Sequence, residues 1–183
     1  ALYHGLCSLL TIDVQKVQQT ENPGEDLLER LKRAKSATDY DFIHVHTKAP
    51  DQAAHTKDPQ HKKATIESLD RALAYAIDEI ATDETILLVI TADHSTASTG
   101  TMIHSGETVP LTMVGKYTRR DDVNKFNEVS CAGGALGPVR GRELMYLILN
   151  LLYRGKLWGL MDSPVNQPFS PGNYKPLLID STS

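Results

Sequence analysis

Residues 86–96 read Ile-Leu-Leu-Val-Ile-Thr-Ala-Asp-His-Ser-Thr, and their reading decides the fold class. Ile86 to Thr91 is a nearly continuous run of apolar, β-forming side chains. A strand with one wet face alternates apolar and polar residues, whereas an unbroken run suits a strand covered on both faces, as in a parallel sheet. The chain then turns abruptly polar at Asp93, His94, Ser95 and Thr96. In parallel α/β sheets, ligands gather beyond the carboxyl ends of the strands. One stretch therefore predicts an architecture and also where its chemistry lies.

On either side, helical periods alternate with short apolar strands. Upstream, Asp58 and Pro59 read as an N-cap and first helical residue. Ile66, Leu69, Leu73, Ala76, Ile77 and Ile80 follow at a period near 3.6 and predict a helix. Before it, Asp41 to Thr47 reads as a strand. Asn22 and Pro23 repeat the cap signature, with Glu25 and Asp26 in the first turn, where acids favour the positive helix end. Leu27, Leu28, Leu31 and Ala34 form that helix's apolar stripe, and Leu6 to Ile12 reads as a short strand. Downstream, Val109 to Val114 is another strand, and a last helix runs from Gly141 to about Arg154, with Gly155 placed to end it. From Lys156 to Ser183 there are four prolines and no period, which predicts an irregular tail anchored by Trp158 and Phe169. The expected fold is α/β, a mainly parallel sheet flanked by helices.

Composition narrows the function classes. Hydrophobic residues make up 40% of the 183 residues and charged ones 23%, as in a soluble globular domain. No apolar run approaches the ~20 residues of a membrane-spanning helix. The net charge is −4 and the basic residues are dispersed, which argues against a nucleic-acid surface. Cys7 and Cys131 have no metal-type spacing, and without a signal peptide they are expected to be reduced thiols of a cytoplasmic protein. The first residue is Ala1 rather than Met, as expected of a fragment or a processed product.

Three polar clusters lie just past predicted strands. Lys48-Ala49-Pro50-Asp51-Gln52-Ala53-Ala54-His55 follows the strand at 41–47, Asp93-His94-Ser95-Thr96 follows the central run, and His104 lies in the loop before Val109. Each has a plain reading by itself. Asp-x-x-x-His is a common spacing, Asp93 can cap a turn through its own backbone, and a single loop histidine is usually solvated. Their joint placement points to metal. Asp51 and His55 are four apart, so one helical turn aims both the same way. Carboxylate oxygens and imidazole nitrogens suit Zn, Mn, Co or Fe rather than Ca. Five such residues exceed what one ion usually takes from protein, and two ions about 3.5–4 Å apart would use them all. His44 and His46 share one strand face. Lys57 and the run His61-Lys62-Lys63 read as solvated surface.

At these residues the sequence resembles the cofactor-independent phosphoglycerate mutases of archaeal type, within the alkaline phosphatase superfamily. The matching stretches are residues 40–55, 91–96, 104–111 and 127–145, in the family's order along the chain. The resemblance spans about residues 1–154. It implies that residues 1–155 are the C-terminal portion of an alkaline-phosphatase-like, metal-binding core. Asp51, His55 and His104 would hold one ion, and Asp93 and His94 would belong to the second. Two divalent ions are implied, Mn, Zn or Co. The resemblance completes the second ion with an upstream aspartate and a nucleophilic serine or threonine, and it puts the substrate-binding insertion upstream as well. None of these is in the matched part, so the catalytic nucleophile is expected to be absent from this chain. Ser95 and Ser105 each follow a ligand histidine, but loop hydrogen bonding is their default role. His46, Lys48 and Ser95 remain candidates for supporting the ligands or meeting substrate. The implied activity is metal-dependent phosphoryl transfer, interconverting 2- and 3-phosphoglycerate in glycolysis through a phosphoenzyme, with a small phosphorylated substrate and the missing N-terminal part as partners. The alternatives are a phosphatase or other phosphomutase of the superfamily, or a truncated metal-binding domain without catalysis.

Overall fold

Asn22 opens a helix by accepting a hydrogen bond on its side chain from the Glu25 backbone N–H at 3.3 Å, the N-cap arrangement that satisfies a donor the helix cannot use. The computed structural model describes residues 2–155. The tail expected over 156–183, with Trp158 and Phe169, lies outside the described residues. The helices are α1 (Leu2–Leu9), α2 (Pro23–Ser36), α3 (Ala49–His55), α4 (Pro59–Tyr75), α5 (Glu128–Ala132) and α6 (Gly141–Leu151), and a π-helical turn continues α4 over Ala76–Ile80. The strands are β1 (Leu88–Thr91), β2 (Ser95–Thr96), β3 (His104–Ser105) and β4 (Leu111–Val114). Two compact units result. One holds the described residues up to Asp83 together with Ala92–Val109, and the other holds Glu84–Thr91 and the described residues from Pro110 onward.

In the first unit, α2 and α3 both pack on α4. The buried residues are Leu27 and Leu31 of α2, Ala53 and Ala54 of α3, and Thr65, Leu69, Ala72, Ala76 and Ile80 along α4 and its extension. The α4 stripe is rotated from the expected one, for Ile66 and Ile77 are nearly half exposed and the small residues Ala72 and Ala76 take the centre. Small residues there let the helices come close. At the entrance to α2 the approach is closest: Gly24 donates its N–H to Ser68 Oγ at 3.1 Å. A β-carbon on Gly24 would stand only 2.6 Å from that oxygen and nearer still to the Ser68 carbonyl. Asp58 caps α4 as expected, accepting from Gln60 and His61 N–H at 2.9 and 3.2 Å.

In the second unit, β1 and β4 pair antiparallel, Leu88 opposite Val114 through Thr91 opposite Leu111. In α6, Ile148 is buried and Tyr146 faces outward. Asp121 accepts backbone hydrogen bonds from Ala135 and Val123 at 2.9 and 3.0 Å. Those two bonds hold its carboxyl below the usual carboxylate range and tie the loop before α5 to the turn after it.

Four expectations need correction. The sheet is not parallel: among the described residues both ladders, β1–β4 and β2–β3, are antiparallel. An apolar run carries no information on the direction of its partner. Residues 41–47 form no strand, and Phe42 and Ile43 are exposed. A strand needs a neighbour for its N–H and C=O groups, and no described residue pairs with these in a ladder. The strand expected over Leu6–Ile12 is helix α1 instead. A short apolar run fits either period, and Leu6, Leu9 and Leu10 also suit a helical face. The loop residue His104 belongs to a ladder, with Thr96 as its partner. In addition, α6 ends earlier than expected, because Tyr153 rather than Gly155 adopts the left-handed conformation, at φ +55°. Arg154 N–H then closes on Leu149 O at 2.8 Å, a helix-stop of Schellman type. Both cysteines are free thiols, and no described helix is long and apolar enough to cross a membrane.

Gly24→Ala is expected to lower unfolding stability by about 1–3 kcal/mol, since the added methyl must push α2 away from Ser68. Urea denaturation checks this, and a midpoint equal to the parent's would show that the helices can part without loss.

Candidate metal centre

Helix α3 has only seven residues and no side-chain cap at its start, so packing must hold it. Ala53 and Ala54 are 2% and 0% exposed, which seats one face of the helix against the core. The opposite side carries Asp51 and His55 one turn apart. His55 Nε2 lies 3.3 Å from Asp51 Oδ1. The sequence pairing at four-residue spacing is therefore realised in space.

The second group comes from the ladder. β2 and β3 pair Ser95 with Ser105 and Thr96 with His104. Side chains directly opposite in an antiparallel pair share a face, and residues two apart along a strand do too. Thr96, His104 and His94 accordingly converge. Thr96 is buried, and its Oγ1 lies 2.8 Å from Asp51 Oδ1, 3.1 Å from His94 Nδ1 and 3.1 Å from His104 Nδ1. One hydroxyl thus joins a ligand candidate of α3 to two of the ladder segment.

A hydroxyl has one hydrogen to donate and two lone pairs. With its hydrogen on Asp51, its lone pairs face Nδ1 of both His94 and His104, whose roles follow from the tautomer each ring adopts. His94 Nε2 faces Asp93 Oδ2 at 3.5 Å. Asp51 shows the competing influences directly. Burial works to raise its pKa, but the Thr96 hydroxyl, then His55, Lys48 and His94, outweigh it and hold the carboxyl below its ordinary value.

The donor atoms of Asp51, His55 and His104 all lie within 4.8 Å of one another. Ligands at about 2.1 Å from an ion stand at most about 4.2 Å apart, so small side-chain rotations close the set. One carboxylate and two imidazoles, with room for further ligands, fit a divalent ion of the Zn or Mn type. These are the three residues that the resemblance assigns to a single ion. His94 stacks edge-on to His104, ring centres 4.3 Å apart, and Asp93 is bound to His94 both through Oδ2 and by accepting the His94 N–H on Oδ1 at 3.1 Å.

The remaining candidates stand differently. Lys48 Nζ is 3.8 Å from Asp51 Oδ2 and exposed. Ser95 is half-buried beside Thr96. His46 stacks on Tyr3 at 4.5 Å. Burial pushes its imidazole below the usual histidine value, His44 adds to this, and Asp93 opposes it. Sequence reasoning missed three residues of the site: Thr96, Lys57 and Lys62. The two lysines do not lie free in solvent, as Lys57 Nζ donates to Ala97 O and Met102 O and Lys62 Nζ donates to Thr96 O. Thr96 had one available signal, its place two residues after His94 on a strand.

The family model described as the metalloenzyme superfamily matches residues 9–151. The chain belongs to the metalloenzyme superfamily. Among relatives of this superfamily chain, a protein named 2,3-bisphosphoglycerate-independent phosphoglycerate mutase 2 of Methanocaldococcus jannaschii is 48% identical over 87% of the chain, which covers 34% of that protein. A 2,3-bisphosphoglycerate-independent phosphoglycerate mutase of Pyrococcus horikoshii is 34% identical over 87% of the chain and 39% of its own length. The solved structure of the PH0037 protein from Pyrococcus horikoshii superposes with a TM-score of 0.72 at 31% identity, covering 86% of this chain and 48% of that one. The chain spans about a third of the length of the curated relatives it matches. A metalloenzyme-superfamily core therefore accounts for why carboxylates and imidazoles, rather than apolar groups, gather around Thr96.

Thr96→Val keeps the shape but removes the shared hydroxyl, and is expected to destabilise the metal-free chain by about 1–3 kcal/mol near neutral pH. Asp51 is depressed in the fold, so its contribution is present above the unfolded aspartate value and is lost as pH falls through the lower folded one. The gap between parent and variant should close in that acid range. Paired pH-dependent denaturation curves test this, and a gap independent of pH would separate Thr96 from Asp51.

Proposed function

We propose that this chain carries the metal-binding part of a cofactor-independent phosphoglycerate mutase, a phosphoryl-transfer enzyme that interconverts 2- and 3-phosphoglycerate. The single observation behind this reading is the triad Asp51, His55 and His104, whose donor atoms lie together in a chain similar to proteins bearing that name. On this reading residues 1–155 are part of the metal-binding core, and the protein works in the cytoplasm with the remainder of the enzyme as its partner.

Bound divalent ions would act as Lewis acids on phosphoryl oxygens and lower the pKa of an attacking hydroxyl. The chain's own residues do the rest. Asp51, His55 and His104 would hold one ion, and Thr96 orients Asp51 by donating to its Oδ1 and lies within hydrogen-bond distance of His104 Nδ1. Asp93 and His94 would contribute to holding a second ion, whose other ligands and neighbouring nucleophile would come from the rest of the enzyme. Lys48, exposed beside Asp51, can steer an anionic substrate toward the centre. His46, stacked on Tyr3, and Ser95, next to Thr96, would support the ligands or meet substrate.

Titration calorimetry with Mn2+ on the purified 183-residue chain should show binding, weakened at least tenfold in His104→Ala, as expected for loss of a direct ligand. Asp93→Ala should lower the number of ions bound while leaving the tighter one. Absence of binding for Mn2+, Co2+ and Zn2+ alike would end this reading. The chain alone is expected not to interconvert the phosphoglycerates, so turnover by it would overturn the assignment of the nucleophile to the rest of the enzyme.

A further inference from the structure

Lys57 closes α3 in a backbone conformation that side chains avoid. Its φ is +58°, the left-handed region where a β-carbon crowds the backbone and glycine is at ease. Its N–H bonds to Ala54 O at 3.0 Å, an end to the helix that glycine would make with less strain. What glycine cannot supply is the side chain. Lys57 Nζ donates to Ala97 O at 2.9 Å and to Met102 O at 2.5 Å. These carbonyls mark the two ends of the loop that joins β2 to β3. An ammonium has three donors and no acceptor, and its hydrogen bonds to carbonyls are stronger than those between neutral groups. Lys62, in the first turns of α4, adds a bond from Nζ to Thr96 O at 2.6 Å.

The loop has little else to hold it. Thr99, Gly100 and Thr101 are exposed, and Met102 and Ile103 are each 57% exposed, so no apolar anchor fixes its course. His104 follows directly. We propose that Lys57 is a positioning residue of the metal centre: its ammonium gathers the two ends of this loop and thereby sets His104 against the Asp51–His55 pair. Residues 51–57 then supply two ligands and also the fastener that brings in the third. This inference rests on the metal-binding reading above.

The test uses Lys57→Gly and Lys57→Met in the full chain, with Co2+ as the probe. Lys57→Gly removes the ammonium and relieves the backbone, whereas Lys57→Met removes the ammonium and keeps the strained backbone. Both should bind Co2+ roughly tenfold more weakly and alter its visible absorption band, and Lys57→Gly should melt no lower than Lys57→Met. Lys57→Arg, which keeps donors within reach, should recover part of the affinity. Parent-like Co2+ affinity in Lys57→Gly would overturn the proposal, since the turn alone would then suffice. A parent chain that binds no Co2+ would instead remove the metal centre itself, and this inference with it.

Discussion

A hydroxyl has one proton to give and two lone pairs to offer, and the whole centre is organised around that arithmetic at Thr96. Its proton goes to Asp51, and Nδ1 of both His94 and His104 lies within hydrogen-bond distance of the same oxygen. Among side chains of similar size, only a hydroxyl can serve one acceptor and two donors at once. Valine offers none of these bonds, and a carboxylate has no proton for Asp51. The arrangement also explains the placement of the elements. Thr96 must be buried to be dry, on a strand to align with His104, and close enough to α3 to reach Asp51. The seat of α3 on α4, through Ala53 and Ala54, meets the last condition.

Local chemistry was legible in the sequence, and tertiary partnership was not. The caps at Asn22 and Asp58 could be read because a cap is decided within three residues of itself. The candidate ligands Asp51, His55 and His104 could be singled out because few side chains can bind a divalent ion, and the Asp-x-x-x-His spacing becomes a fixed geometry once a helix forms. Strand direction was out of reach, since the run at Ile86–Thr91 is equally apolar whichever way its partner points. The α1 segment failed for a related reason: too few residues separate a two-residue from a 3.6-residue period. Thr96 was passed over because hydroxyls are common and its importance lies in the three groups that meet it. Lys57 and Lys62 were read as solvated because nothing local reveals which carbonyls an ammonium will find.

Of the two carboxylates and three imidazoles, Asp51 and His94 are partly buried while Asp93, His55 and His104 are exposed, so unmatched protons and lone pairs would cost most at Asp51 and His94. Burial works against the charge on Asp51, and the hydrogen bond from Thr96 answers it. Asp93 Oδ1 accepts the His94 N–H, and its Oδ2 faces His94 Nε2. An ion bound by these groups would couple its binding to the order of the segment.

The ladder that carries His104 is only two residue pairs long. Short ladders open more readily than the helical core to which Asp51 and His55 are attached. For any ion held here, two ligands would stand on fixed ground and the third on a hinge. Such an ion would leave when the hinge swings, and its residence time would then be governed by the breathing of β2 and β3 rather than by the strength of its bonds to α3.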